Sequence, residues 1–387
     1  MNDSNELETL RQAAASGAAD DLHRYAAALV ADLRMDEAFE AYSRAAAAGH
    51  AAALLEQGRM LMYGVGTTAD IARAVQAFER AEAAGQPIAG YFLALIGLGD
   101  TAVPRDARVG ERLLAAVQAA YPPALRAAAI HFGRKPNLQD QALAIQLLDH
   151  AAGRGDAIAA HLLAERVRRG EGCTAQPEAA AQLKAKLREG GFDDLPEIIA
   201  VPAAPKRPSP PSTLALDEVM DPPEAEVLAE SPRIAQVDGL LSVDECRLLV
   251  ATAQPLLRAA AQTPGIGPVP RVAFEPLLED VALRLVQLRL AAAADMELVD
   301  AEPLVVARVA PGDGPVSPEA ADGDDDRRRA VYACLATGKG GARLRFPGIV
   351  IDAEAGRAIV ADASGATIEG DGWFAALPLA SRRRRDY

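Results

Sequence analysis

AAAAGHAAALLEQGRMLMYGVGTTADIARAVQAFERAEAAGQPIA, residues 45–89, carries the pattern that decides the first half of this chain. Its short phrase around glycine recurs: GHAAA from Gly49, GQPIA from Gly85, AYPPA from Ala120 and GDAIA from Gly155, at spacings of 36, 35 and 35 residues. Four positions before each anchor stands Ala45, Ala81, Ala116 or Ala151, and four after stands Ala53, Ala89, Ala124 or Ala159. Nine after comes another small residue, Gly58, Ala94, Ala129 or Ala164. Small residues at fixed places let helices approach closely. Each period reads as two amphipathic helices, for example 51–62 and 69–84, joined by the turn formers of YGVGTTAD. One such pair cannot bury its apolar face, but stacked pairs can, so the pattern predicts a curved solenoid. Segments 7–33 and 176–191 are expected as atypical end units.

Composition bounds the rest. A chain of 387 residues predicts two domains. A net charge of −14 argues against a general nucleic-acid binder, which needs a cationic face. The start, MNDSNELETL, lacks the basic and apolar regions of a secretory signal, and no apolar run approaches the ~18 residues of a membrane span. Three scattered cysteines, Cys173, Cys246 and Cys334, fit reduced thiols and a cytoplasmic location. All five histidines (His23, His50, His131, His150 and His161) fall among the repeats. No two share the i, i+4 spacing of metal ligands on one helix, so they are read as structural.

Residues 196–223 hold eight of the 26 prolines. Proline removes backbone donors and favours extended chain, so 196–230 is expected to be a semi-rigid, poorly packed linker. PKRPSPP within it could also dock into a reader of proline-rich motifs. Beyond it the texture changes. IAQVDGLLSVDECRLLVATAQ, from Ile234, predicts a strand and then a helix, with Ser242 and Glu245 as a capping box. A helical stretch follows at about 275–295. Short β-type runs come next: PLVVARVA, AVYACLA, ARLRFPGIVID, GRAIVADA and WFAALPLA. Helices followed by such strands fit a sandwich or barrel with helical support. ATGKGG lacks the residues of a phosphate loop, and no nucleophile elbow is present. The acidic run Asp322, Asp324, Asp325 and Asp326, followed by three arginines, reads as a solvated loop, and SRRRRDY as a frayed tail. Trp373 is expected in the core.

The repeats resemble the Sel-one-like repeats, relatives of the tetratricopeptide repeat, most clearly over residues 51–86. That resemblance implies a scaffold for protein–protein contacts with no catalytic residues. Residues 231–387 resemble the prolyl 4-hydroxylase type of 2-oxoglutarate- and Fe(II)-dependent oxygenase. The resemblance rests on VDGLLSVDEC, RLAAAADMELVDAEPLVVARVAPGDG, GGARLRFPGIVIDAEAGRAIV and GDGW. It implies a double-stranded β-helix, or jelly roll.

That family holds iron with two histidines and one carboxylate. Counting from Pro311-Gly312, the first histidine position falls on Pro318 and the carboxylate on Ala320. The distal histidine falls near Asp362, and the basic anchor for 2-oxoglutarate on Gly372. No histidine occurs anywhere after His161. The expectation is therefore a multidomain protein: an all-α helical-repeat solenoid over 1–195, a linker over 196–230, and a degenerate oxygenase-like jelly roll with supporting helices over 231–387. It predicts a non-catalytic adaptor that binds a protein partner through its repeats, with no metal or cofactor, no nucleic acid and no membrane span. The alternative is an active oxygenase using Fe(II) and 2-oxoglutarate on a protein or peptide.

Overall fold

The computed structural model describes residues 3–201, 209–261, 271–317, 326–362, 365–385 and 387. Packing divides the chain into two compact units, one spanning 1–121 together with Tyr387, the other spanning 122–385. The division falls inside the repeat region, between the second and third copies of the helix pair that the sequence marks from Gly49 onwards.

The first unit holds α1 (Asp3–Ala14), α2 (Ala19–Ala31), α3 (Met35–Ala47), α4 (Ala51–Tyr63), α5 (Ile71–Ala83), α6 (Pro87–Gly97) and α7 (Ala107–Gln118). Successive helices pack as pairs, and each pair packs on the next, as in a repeat solenoid. The repeat columns have a direct physical meaning. Every alanine in them, in both units, is wholly buried. A Cβ on Gly58 would lie 2.5 Å from the Phe78 ring, so a larger residue cannot stand there without repacking. The anchors Gly49, Gly85 and Gly155 have φ of 87°, 83° and 89°, and Ala120 has 56°. All four close a helix in the left-handed region, where glycine is free and alanine is strained.

The second unit begins with two more pairs, α8 (Pro122–Gly133) with α9 (Leu138–Ala152) and α10 (Ala157–Arg169) with α11 (Pro177–Glu189). Then come α12 (Leu216–Met220), β1 (Glu226–Glu230), β2 (Arg233–Val237), α13 (Val243–Ala261), β3 (Arg271–Ala273) and α14 (Val281–Ala293). The chain finishes with β4 (Val305–Val309), β5 (Arg327–Phe346), β6 (Ile349–Asp352), β7 (Ala358–Ala361) and β8 (Thr367–Ala380). The strands form one antiparallel sheet in the order β1-β2-β7-β5-β8-β4-β3, with β6 on β5. It is a jelly-roll-like domain supported by helices. The Ser242–Glu245 capping box opens α13 as expected: the Ser242 amide donates to Glu245 Oε2 at 2.7 Å, and the Glu245 amide donates to Ser242 Oγ at 3.3 Å.

Several local expectations change. AVYACLA and ARLRF are one strand, β5, because ATGKGG continues the pairing with β8 through a register shift between Thr337 and Ala342. The described part of 196–230 is packed: Ile198 and Val219 are buried, and the Val201 amide donates to the Ala355 carbonyl at 2.8 Å. The basic tail is anchored too. The amides of Arg384 and Arg385 reach the Val299 carbonyl, and Arg385 pairs with Glu279 at 2.8 Å. PKRPSPP falls partly outside the described residues, as do Asp322, Asp324 and Asp325; Asp326 pairs with Arg382 at 2.8 Å.

Candidate functional site

The interior of the sheet is where an oxygenase-like jelly roll would hold its metal. Alternate residues of β5 (Ala330, Tyr332, Cys334) and β8 (Ile368, Phe374, Ala376) point into one cluster. Ile234, Val309, Val316, Leu344, Phe346 and Ile359 complete its bulk. The residues between, Val331, Ala333, Leu335 and Leu377, are also wholly buried, so both faces of the central strands are covered. Only Tyr332 and Cys334 in the cluster can titrate. Burial pushes the Cys334 thiol up to about 12, so it stays protonated.

The expected ligand positions fare as follows. Pro318 and Ala320 lie outside the described residues; neither side chain has a donor atom for a metal. The chain just before them is placed, with Val316 bridging Ile368 across the sheet. Asp362 sits at the end of β7. Its amide donates to the Arg233 carbonyl at 3.0 Å, and its carboxylate accepts from Arg329 Nε at 2.9 Å. Gly372 pairs with Val309 and Thr337 on either side. A Cβ there would meet the Ala336 carbonyl oxygen at 2.8 Å and the Phe374 ring at 2.9 Å. The strand therefore has no room for a basic anchor. Among the described residues no group of three His, Cys, Asp or Glu side chains comes together that could hold a metal ion. Trp373 is half-buried rather than core: it lies across from Arg308, whose guanidinium sits 5.9 Å from its ring and pairs with Asp371.

The sequence reading missed a second constellation. α8 and α10 pack against α13 and α14, and the contact is ionic and buried. Arg166 on α10 donates to Asp244 through Nε at 2.8 Å, and Asp244 also accepts from Arg247 at 2.9 Å. Glu245 lies between Arg134 and Arg289, with Arg289 at 2.6 Å. Arg247 reaches back to Glu171 at 2.6 Å, and Arg126 on α8 pairs with Asp280 at 2.5 Å and with Asp156. Asp244, Glu245, Arg166, Arg247 and Arg289 are all within 1 % of full burial. Burial alone would raise the two carboxyls. The arginines outweigh it, holding Asp244 below its usual range and Glu245 at about 2. The same burial, with Arg134 nearby, brings Arg289 down to about 10.

A signal for this seam does exist in the sequence. Eleven residues after the anchors stand Met60, Ile96, His131 and Arg166, and six after stand Leu55, Tyr91, Arg126 and His161. The columns turn from apolar to polar in the last two copies, where the helices meet α13 and α14. Spacing along one helix also concealed a histidine contact: the rings of His23 and His50 stack with centroids 4.3 Å apart. His50 Nδ1 accepts from the Ala53 amide at 3.1 Å as the cap of α4, which is a structural role.

No family profile and no curated protein matches the chain. Solved structures do. An antigen of uropathogenic Escherichia coli displaying an SLR fold is 23% identical, with a TM-score of 0.39, over 48% of this chain. The match spans only 41% of that protein. A Sel1 repeat protein from Oxalobacter formigenes is 20% identical, with a TM-score of 0.39, over 46% of this chain and 74% of its own. A prolyl-4-hydroxylase of Pseudomonas putida is 21% identical, with a TM-score of 0.29, over 39% of this chain and 93% of its own. The neighbours thus include Sel1 repeat proteins for the N-terminal half and prolyl 4-hydroxylases for part of the C-terminal region. The molecule carries helical repeats followed by a jelly-roll-like antiparallel domain with supporting helices. Among the described residues no single helix is long and apolar enough to cross a membrane.

Proposed function

We propose that this protein is a non-catalytic adaptor, in which helical repeats bind a protein partner and a pseudo-oxygenase barrel serves as structural support. The observation that carries the reading is the barrel interior: an apolar, close-packed cluster, with the strand closed over at Gly372. Oxygenase chemistry needs nitrogen and carboxylate donors on one face of a metal and a cation for the cosubstrate. The aligned positions offer Pro318, Ala320, a surface Asp362 committed to Arg329, and Gly372. The seam supports the structural role, because the barrel supplies the carboxylates that neutralise arginines of the repeats.

The test uses the full chain, since the seam ties the barrel to α8–α11. Anaerobic titration with Fe(II) and 2-oxoglutarate is expected to give no metal-to-ligand charge-transfer band. Incubation in air is expected to give no succinate above a protein-free control. Stoichiometric iron with that band would overturn the adaptor reading in favour of an active oxygenase.

A further inference from the structure

The polar side chains of α8 and α9 do not all serve the seam. His131, Asp140 and, in the link between the two helices, Lys135 are each at least 97 % buried, and each places one polar atom on the backbone of residues 210–215. Lys135 Nζ donates to the Thr213 carbonyl at 2.6 Å and to the Pro210 carbonyl at 3.4 Å. Asp140 Oδ1 accepts from the Ser212 amide at 2.6 Å. His131 Nε2 lies 3.1 Å from the Thr213 carbonyl and 3.4 Å from the Ala215 amide. Gln139 donates to Ser212 Oγ at 2.9 Å.

We infer that the α8–α9 repeat is a reader of proline-rich turns, occupied here in cis by Pro210-Pro211-Ser212-Thr213. The bound segment is a turn closed by the Thr213 amide on the Pro210 carbonyl at 3.3 Å. Pro211 at the second position and φ of 59° at Ser212 give it the form of a type II turn, whose third position favours glycine. A serine there is strained, and it is held because its amide and its hydroxyl are both bound. Lys135 and Asp140 lie 4.0 Å apart, and Asp140 also accepts from Asn137 at 2.5 Å, so the pair is held in place by the repeat while its remaining donors and acceptors face the turn. The receptor contacts go mostly to backbone atoms, so they select a turn whose second position Pro211 pre-sets. The ligand class is a proline-rich turn carrying Pro-Pro-Ser-Thr.

In trans this is a partner protein bearing such a segment. That use rests on the adaptor reading; the binding itself does not. Tethering gives the chain's own turn an effective concentration in the millimolar range, so a free peptide meets a filled site in the native chain.

The probe is a fluorescein-labelled RPSPPSTLAL peptide, the sequence of residues 207–216. It is titrated against the full chain carrying Ser212→Pro and Thr213→Pro, which remove the two amides that the site and the turn use. Saturable binding is expected, at least about tenfold weaker for the native chain and for a peptide with proline in place of Ser212. Absence of binding to a doubly substituted chain that keeps its helical circular dichroism would overturn the inference. In the otherwise intact chain, Lys135→Met with Asp140→Asn should speed amide exchange over 210–215 at least about tenfold. Unchanged protection there sinks the inference even if the doubly proline-substituted chain fails to fold. Peptide titration reads the repeat and iron titration reads the barrel, so either result can fail alone.

Discussion

Ala120 is the one anchor of its column that is not glycine, yet it keeps the left-handed φ of 56°. For an L-residue this costs about 1 kcal/mol or more, against a smaller entropic cost for glycine. Ala120→Gly should therefore stabilise the protein by about 0.5 kcal/mol, while Gly155→Ala should cost about 1 kcal/mol. Nothing lies within 4 Å of a Cβ built on Gly155, so its loss would be purely conformational. Both changes are read from denaturant midpoints; unchanged midpoints at both sites would contradict the shared role of the column. The four anchors were legible from sequence because one period repeats them. Their φ values were not: Ala120 has no property in isolation that announces a left-handed turn.

At the scale of the element, Ala124 on α8 and Ala89 on α6 mark wholly buried helix contacts. Leucine at either site should destabilise by about 1–3 kcal/mol through overpacking. Serine, being close to alanine in size, should cost less, and a melting series over the four variants checks the order. The α8 contact with residues 210–215 also has a pH signature. Burial, partly opposed by the Thr213 carbonyl, lowers His131 to about 4 from an ordinary 6.5. Between those values the unfolded chain binds a proton that the folded chain refuses. Stability should thus fall as pH drops from about 6.5 to about 4, by on the order of 2 to 3 kcal/mol. Glu245 is depressed to about 2, so its contribution is complete above an ordinary 4.5 and is lost as pH falls through 2. His131→Gln should remove the upper leg and leave the lower one, as measured by urea unfolding at a series of pH values. Helices, capping box and strands were readable from periodicity and turn residues. The continuity of β5 was not, because three glycines in ATGKGG look like an end and are in fact a bulge.

The whole molecule departs most from what sequence alone suggests. The repeat period stops before the proline-rich segment, and a new texture starts after it, so pattern points to a cut there. Packing does not part at that place: Arg126, Arg134 and Arg166 precede the segment, and their partners Asp280, Glu245 and Asp244 follow it. Arginine on a helix reads as solvated unless its partner, about a hundred residues away in sequence, is known. Cutting an inserted protease site between residues 201 and 209 should therefore leave two fragments that co-elute at neutral pH. Removing one charge, as in Asp244→Ala, should cost about 3–5 kcal/mol, since it strands a buried guanidinium. The cut protein carrying that change should separate on size exclusion; co-elution would mean that the seam holds without the Asp244 pairs.

Those matched charges also set the last two copies apart. In the earlier copies the positions of Arg126 and Arg166 are held by Leu55 and Tyr91, and by Met60 and Ile96. A jelly roll set onto them would meet those side chains with Asp244 and Asp280, without the arginines that pair with them here. The last two repeats and the barrel are therefore matched in charge to each other, as the earlier copies are not.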